Sequence, residues 1–347
     1  PSELIFDIIE HPYFQRLRRI SQMGLSHLVY PGAQHTRFQH ALGCLYLMQK
    51  ALQTLKFKGI EITKEEEEAT LIAILLHDIG HGPFSHALEN SLIEGLNHEN
   101  LSLEFMENLN EAFDGRLTLA IKIFKGDYSK GFLTQLVAGQ LDIDRLDYLK
   151  RDSFYTGVAE GNINSDCLIT MINVRDNQLV IEEKGIYSVE KFLLARRLMY
   201  WQVYLHKTSL GAELILIKIL KRAKELIQKG QKFESNSALS FFLNHNISYD
   251  NFSVEILEHF SQLDDYDIIT AIKQWQTHHD YVLSSLCKML INRKLFKVKL
   301  KNKAFKTKKT EVIKHSIKKQ FNITSEETDY FFFEGTTSNQ AYDYDYQ

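Results

Sequence analysis

The segment from Thr63 to Pro83 constrains this chain more than any other. Thr63-Lys64-Glu65-Glu66 has the capping-box form, and the glutamates that follow suit the positive end of a helix. Leu71-Ile72-Ala73-Ile74-Leu75-Leu76 then leaves no polar face, so this helix has to be surrounded by other elements. Gly80 and Gly82-Pro83 end it directly after His77-Asp78. A carboxylate at the end of an apolar rod is costly to bury unless it is paired or holds a cation. Imidazole nitrogen together with carboxylate oxygen suits a divalent ion such as Mn, Fe, Ni, Co, Zn or Mg.

The rest of the chain reads as helical around that rod. There are only four prolines, and apolar residues recur mostly at helical spacing. Thr36-Arg37-Phe38-Gln39 opens a helix predicted to run to about Leu55, with an apolar stripe through Phe38, Ala41, Leu42, Leu45, Met48 and Leu52. Further helices are predicted over 98–109, 133–152, 188–206, 211–229 and 268–290. A hairpin is predicted over 172–181, with Asp176-Asn177 as its turn. At 347 residues and 44% hydrophobic content the chain can bury a large core, which excludes disorder and a disulfide scaffold. A formal net charge of −3 gives no global attraction to nucleic acid or membrane, and no apolar run is long enough to span a bilayer. Cys44, Cys167 and Cys287 form no CxxC pair; they argue for reduced thiols, a cytoplasmic location, and against a cysteine-based zinc site.

From Arg293 to Lys319, twelve Lys or Arg face one acidic residue, Glu311. Lys297, Lys299, Lys301 and Lys303 alternate with Val298 and Leu300, the pattern of a half-buried strand. The expected organisation is a helical catalytic domain over 1–290 and a small basic α+β lobe over 291–347. The lysine face is open to two readings, a guarded sheet edge or contact with polyphosphate, nucleotide or nucleic acid.

Polar residues elsewhere appear in an order that can close a metal site around His77-Asp78. His40 lies beside the apolar stripe of the first long helix, His81 and His86 lie in the glycine-rich turn, and His98-Glu99 opens the next helix. Asp142 and Asp144 stand about 200° apart on a helical wheel, so only one can face the histidines, and Asp144 shares its face with Tyr148 and Arg151. The order His40, His77-Asp78, Asp144 resembles the H…HD…D pattern of HD-domain metal-dependent phosphohydrolases. Five collinear blocks extend the likeness over roughly residues 5 to 210. They are Phe14-Gln15-Arg16-Leu17-Arg18, Tyr30-Pro31-Gly32-Ala33, Thr36 to His40, His77 to His86, and Asp142 to Tyr148 with Arg151-Asp152. They resemble the deoxynucleoside triphosphate triphosphohydrolase branch, including the mammalian SAM-and-HD-domain dNTPase, though no SAM domain is visible in this sequence.

That resemblance implies a mainly α, HD-domain helical fold with His40, His77, Asp78 and Asp144 around one divalent metal ion. It implies that His98, with Glu99 behind it, protonates the leaving 5′ oxygen. Arg37 and Arg196 would grip the triphosphate, with His81 and His86 on the phosphate side and Arg145 among the substrate contacts. Tyr148, Asp152 and Tyr204 would form the sugar floor, with Gln22 alongside. Met23 stands where the mammalian protein has leucine and Tyr200 where it has histidine. Glu10, Gln15 and Arg18 resemble contacts to a GTP or dGTP activator at an interface of a homo-oligomer. The expected reaction splits a deoxynucleoside triphosphate into a deoxynucleoside and inorganic triphosphate. The alternatives are an HD hydrolase of nucleoside monophosphates, cyclic nucleotides or guanosine tetraphosphate, and a nucleotide- or nucleic-acid-binding regulator with a vestigial site.

Overall fold

The computed structural model describes residues 2–84, 93–231, 233, 237–301 and 305–335. Two short helices, α1 (Glu3–Glu10) and α2 (Pro12–Gln15), lead into the long α3 (Arg37–Phe57) and the buried α4 (Lys64–Leu76). Then come α5 (His98–Ala112), α6 (Thr118–Lys125), α7 (Gly131–Val137), α8 (Ile143–Thr156) and α9 (Ser165–Met171). The hairpin β2 (Ile172–Arg175) and β3 (Gln178–Ile181) precedes α10 (Ile186–Met199) and α11 (Lys207–Gln228). The remaining helices are α12 (Ser237–Asn244), α13 (Val254–Ser261), α14 (Asp265–Trp275), α15 (Tyr281–Ile291), α16 (Thr307–Phe321) and α17 (Ser325–Thr328). Besides the antiparallel hairpin, β1 (Ile93–Glu94) pairs in parallel with β4 (Ile247–Ser248).

The apolar rod behaves as its sequence requires. Thr63 and Glu66 form the capping box, and every residue from Ala69 to Leu76 is buried. Helix α3 packs against α4 and α8, and α6 covers another side of α4. The three helices that carry the expected metal ligands are therefore neighbours because of their apolar stripes. The hairpin has the predicted ends, with Asp176 and Asn177 both at positive φ. The fold is mainly α, as expected.

Four expectations are corrected. The helix predicted over 133–152 is two helices, because Asp142 caps α8 by accepting from the Arg145 and Gly139 backbone amides. The 188–206 helix ends in a π-helix over Tyr200–Tyr204. The 268–290 helix is broken into α14 and α15, with Asp280 capping the second. The lysine-alternating segment is not a strand among its described residues, because it has no partner edge there to pair with. It lies without regular secondary structure, with Val298 against Gly211 and, just before it, the Arg293 side chain donating to the Leu28 carbonyl at 2.7 Å. The described part of the predicted basic lobe is accordingly helical, α16 and α17, without a strand.

Candidate metal centre and substrate pocket

His40 faces inward from the first turn of α3, His77-Asp78 follow the last turn of α4, and Asp144 lies in the first turn of α8. Their ligand atoms converge. His40 Nε2 is 3.1 Å from Asp144 Oδ1 and 3.7 Å from Asp78 Oδ2. His77 Nε2 is 3.5 Å from Asp78 Oδ1 and 3.5 Å from Asp144 Oδ1. Ligands about 2.1 Å from one ion lie roughly 3.0 to 3.4 Å apart at octahedral or tetrahedral angles, so the spacing suits a single cation.

Tautomers point the same way. The Ile74 carbonyl accepts from His77 Nδ1 at 2.7 Å and Asp147 Oδ2 accepts from His40 Nδ1 at 2.8 Å, so on both rings Nε2 is the nitrogen left to face the carboxylates and a cation between them. His77 Nε2 is buried with no hydrogen-bond partner, which a cation would satisfy. Cys44 Sγ also approaches, since His40, Cys44, His77 and Asp144 offer ligand atoms within 4.8 Å of one another. Yet that sulfur is 3.6 Å from both His40 ring nitrogens, against the ring rather than in front of Nε2, and burial pushes the thiol well up. The donor set of two imidazoles and two carboxylates therefore fits a divalent ion better than one built on thiolate.

Around the donors, burial works against ionising Asp78, but His77, Arg37 and His81 outweigh it and hold its carboxyl well below the usual range. Arg37 Nη1 donates to Asp78 Oδ2. His81 Nε2 lies 3.3 Å from Asp78 Oδ1, and burial followed by Arg37 keeps that imidazole neutral. The His81 ring stacks on His98 at 4.0 Å.

Helix α5 brings His98 there by direct attachment. Ser102 Oγ accepts from the Gly80 amide at 2.9 Å and donates to the His77 carbonyl at 2.8 Å. A Cβ at Gly80 would lie 2.3 Å from the His98 carbonyl, so only glycine permits this approach. Glu99 is exposed. His86 lies outside the described residues.

One and two turns along α8 from Asp144 come Tyr148 and Asp152. Both Asp152 oxygens are engaged, by His35 Nε2 at 2.6 Å and by the Tyr204 hydroxyl at 2.8 Å. The π-helix presents Tyr204 edge-on to Tyr148 at 6.0 Å and to Tyr200 at 5.1 Å, and Arg196 lies over the Tyr200 ring at 5.9 Å. The backbone amide of Gln22 donates to the His35 carbonyl at 3.0 Å and Met23 is buried beside it. Arg145 is turned back onto Asp142 and the Gly139 carbonyl. At the expected activator corner Arg18 donates to Gln15 at 2.8 Å and covers the Phe38 ring, while Glu10 is exposed.

The structure also identifies residues that the sequence reading gave no role. His35 orients Asp152 and stacks on Tyr155 at 4.3 Å. Asp147 and Arg151 stand behind His40. Arg16, fully buried, donates to the Ile79 carbonyl at 2.8 Å and the Leu263 carbonyl at 3.3 Å, anchoring the turn after His77-Asp78. Its position in the Phe14–Arg18 block was the available signal.

This fold and donor set define an HD-domain phosphohydrolase, and the chain belongs to that family. The HD domain matches residues 37–151 and the HD associated region residues 163–241. The chain is 37% identical over 304 residues to the uncharacterized protein YwfO of Bacillus subtilis, covering 85% of this chain and 68% of that one. It is 30% identical over 252 residues to the deoxynucleoside triphosphate triphosphohydrolase SAMHD1 homolog of Dictyostelium discoideum, covering 67% of this chain and 49% of that one. It superposes on the crystal structure of a phosphohydrolase from Bacteroides thetaiotaomicron with a TM-score of 0.93 at 55% identity, covering 95% of this chain and 82% of that one. No described helix is long and apolar enough to cross a membrane.

Proposed function

We propose that this protein hydrolyses deoxynucleoside triphosphates to a deoxynucleoside and inorganic triphosphate. One observation carries the reading: Asp144, Tyr148 and Asp152 form a single stripe on α8, with the metal-type donors at one end and a tyrosine-ringed carboxylate at the other. The stripe is about 12 Å long, a span suited to a phosphate and the sugar attached to it. The name borne by the Dictyostelium relative supports the same substrate class.

A divalent ion held by His40, His77, Asp78 and Asp144, whether Mn, Fe, Ni, Co, Zn or Mg, would supply Lewis-acid polarisation of the α-phosphate and a more acidic water. The chain's own side chains do the rest. Arg37 and Arg196 offset the triphosphate charge, and neutral His81, with His86, lines the phosphate side. Water attacks the α-phosphorus, the bond to the 5′ oxygen breaks, and His98 gives that oxygen its proton. Asp152, with both oxygens already oriented, accepts the 3′-hydroxyl, and the Tyr148 edge leaves no room for a ribose 2′-hydroxyl. Gln22, Met23 and Tyr200 line the remainder. A GTP or dGTP activator would sit near Glu10, Gln15 and Arg18. Exposed Tyr187 and Leu194 on α10 and Trp201 in the π-helix that continues it favour a homo-oligomer.

The test is a panel of deoxy- and ribonucleotides incubated with metal-loaded protein, with and without GTP, and product analysis by ion exchange. Inorganic triphosphate from deoxynucleotides alone is the expected product. Release of monophosphate or pyrophosphate would overturn the reading. His98→Ala is expected to keep metal content and nucleotide affinity while turnover falls at least a hundredfold.

A further inference from the structure

We infer that Asp147 is a positioning residue for the metal centre: clamped by Arg151 in a slot that Gly43 leaves open, it fixes the proton and the direction of His40. The inference rests on the metal-centre reading and is independent of the substrate.

The two histidines reach the centre differently. His77 is oriented by a backbone carbonyl of its own helix. His40 has no such support; its Nδ1 bonds Asp147 Oδ2 at 2.8 Å, across from α3 to α8. A carboxylate only accepts hydrogen bonds, so a proton sits on Nδ1, and when a cation takes the place between Nε2, Asp144 and Asp78 the Nε2 lone pair is the one free to meet it. Asp147 is itself held from outside. Arg151 Nε donates to Oδ2 at 2.7 Å and Nη2 donates to Oδ1 at 2.9 Å, a two-point fork that fixes the plane of the carboxylate.

The pair lies directly over α3 at Gly43. A Cβ there would be 2.1 Å from Asp147 Oδ1 and 2.2 Å from Arg151 Nη2, so any side chain at 43 displaces the clamp. On its outer side the clamp borders a groove of about 650 Å³, walled by Tyr46, Leu47, Lys150, Phe154 and Tyr155. His40 and Asp147 are buried, whereas Arg151 can be reached through that groove. A replacement cation can therefore enter where the Arg151 side chain has been cut away.

The experiment measures Mn²⁺ affinity by electron paramagnetic resonance, and the His40 Nδ1 proton and its hydrogen bond by ring-nitrogen NMR in metal-free protein. Asp147→Asn keeps the shape but can donate to Nδ1, placing a proton on Nε2 where the metal should bind. It is expected to raise the Mn²⁺ Kd roughly 10- to 100-fold and to move the His40 ring signals, with those of His77 unchanged. Arg151→Ala and Gly43→Ala should weaken binding by several fold. Added guanidinium should restore affinity to Arg151→Ala and leave Gly43→Ala unaltered, a contrast that loss of packing alone does not produce. Should Asp147→Asn fail to fold, Arg151→Lys tests the same clamp with its charge kept and its fork removed, and partial loss is expected. Wild-type affinity and unchanged His40 ring signals in Asp147→Asn, or in Arg151→Ala and Arg151→Lys, would overturn the inference. A wild-type protein that binds no Mn²⁺ would instead remove the metal-centre reading, with the ring-nitrogen measurement still reporting on Asp147.

Discussion

At the scale of single residues, two ionisable side chains show how burial and partners decide stability. Arg16 is the largest fully buried side chain among the described residues, and burial lowers its guanidinium to about 9, so it still carries its charge at neutral pH. Its work is to satisfy carbonyls of the turn after His77-Asp78 and of Leu263. Arg16→Met should cost about 3 kcal/mol, because those carbonyls remain buried without donors; a shift in the urea midpoint at constant slope would show it. Glu213 is a contrasting case, since burial alone pushes its carboxyl from 4.5 up to about 7. The folded state then binds the extra proton in that interval, so stability from this group is highest below pH 4.5 and falls as pH rises toward 7. Glu213→Gln should flatten the fall and add about 2 kcal/mol at pH 8, as read by denaturant melts across pH.

At the scale of elements, the site depends on how helix ends are joined. Ser102 couples α5 to the end of α4 through two hydrogen bonds, and it is this coupling that carries His98 to His81. Ser102→Ala should cost about 2 kcal/mol and lower kcat while leaving metal affinity in place, measured by steady-state kinetics beside a metal titration. Much of this organisation was legible in the sequence. The capping boxes at Thr36 and Thr63, the apolar hexad and the hairpin turn all sit where local chemistry puts them. The four expected ligand side chains also meet, because amphipathic spacing faces His40 and Asp144 toward α4. What was not legible depends on partners distant in the chain. Asp142 read as a helical residue, since its capping role shows only in the bonds it accepts from Gly139 and Arg145. Asp147 read as one carboxylate among several until its contact with His40, 107 positions away, was visible. Lys297 to Lys301 had the alternation of a strand but no described neighbour to pair with.

For the whole molecule, the C-terminal helices are fastened to α11 and the start of α15 through a hub at Arg222. That guanidinium donates to Asp280 at 2.6 Å, lies 3.5 Å from Glu327 and covers the Tyr330 ring at 5.4 Å. Arg222→Ala should therefore loosen α16 and α17 before the rest unfolds, and limited proteolysis should cut among residues 305–335 faster than in the wild type. The π-helix over Tyr200–Tyr204 has a more local reach. Such a turn holds one residue more than regular winding would, and α11 follows almost at once. Removing one amino acid from this turn would restore regular winding and re-aim the side chains within it, disrupting the contact of Tyr204 with Asp152, while α11, which starts afresh after the extended His206, keeps its packing with α15. A related chain one residue shorter here should therefore keep the packing of its second half and differ instead in the tyrosine wall of its pocket, so length variation in this turn should track what the pocket accepts.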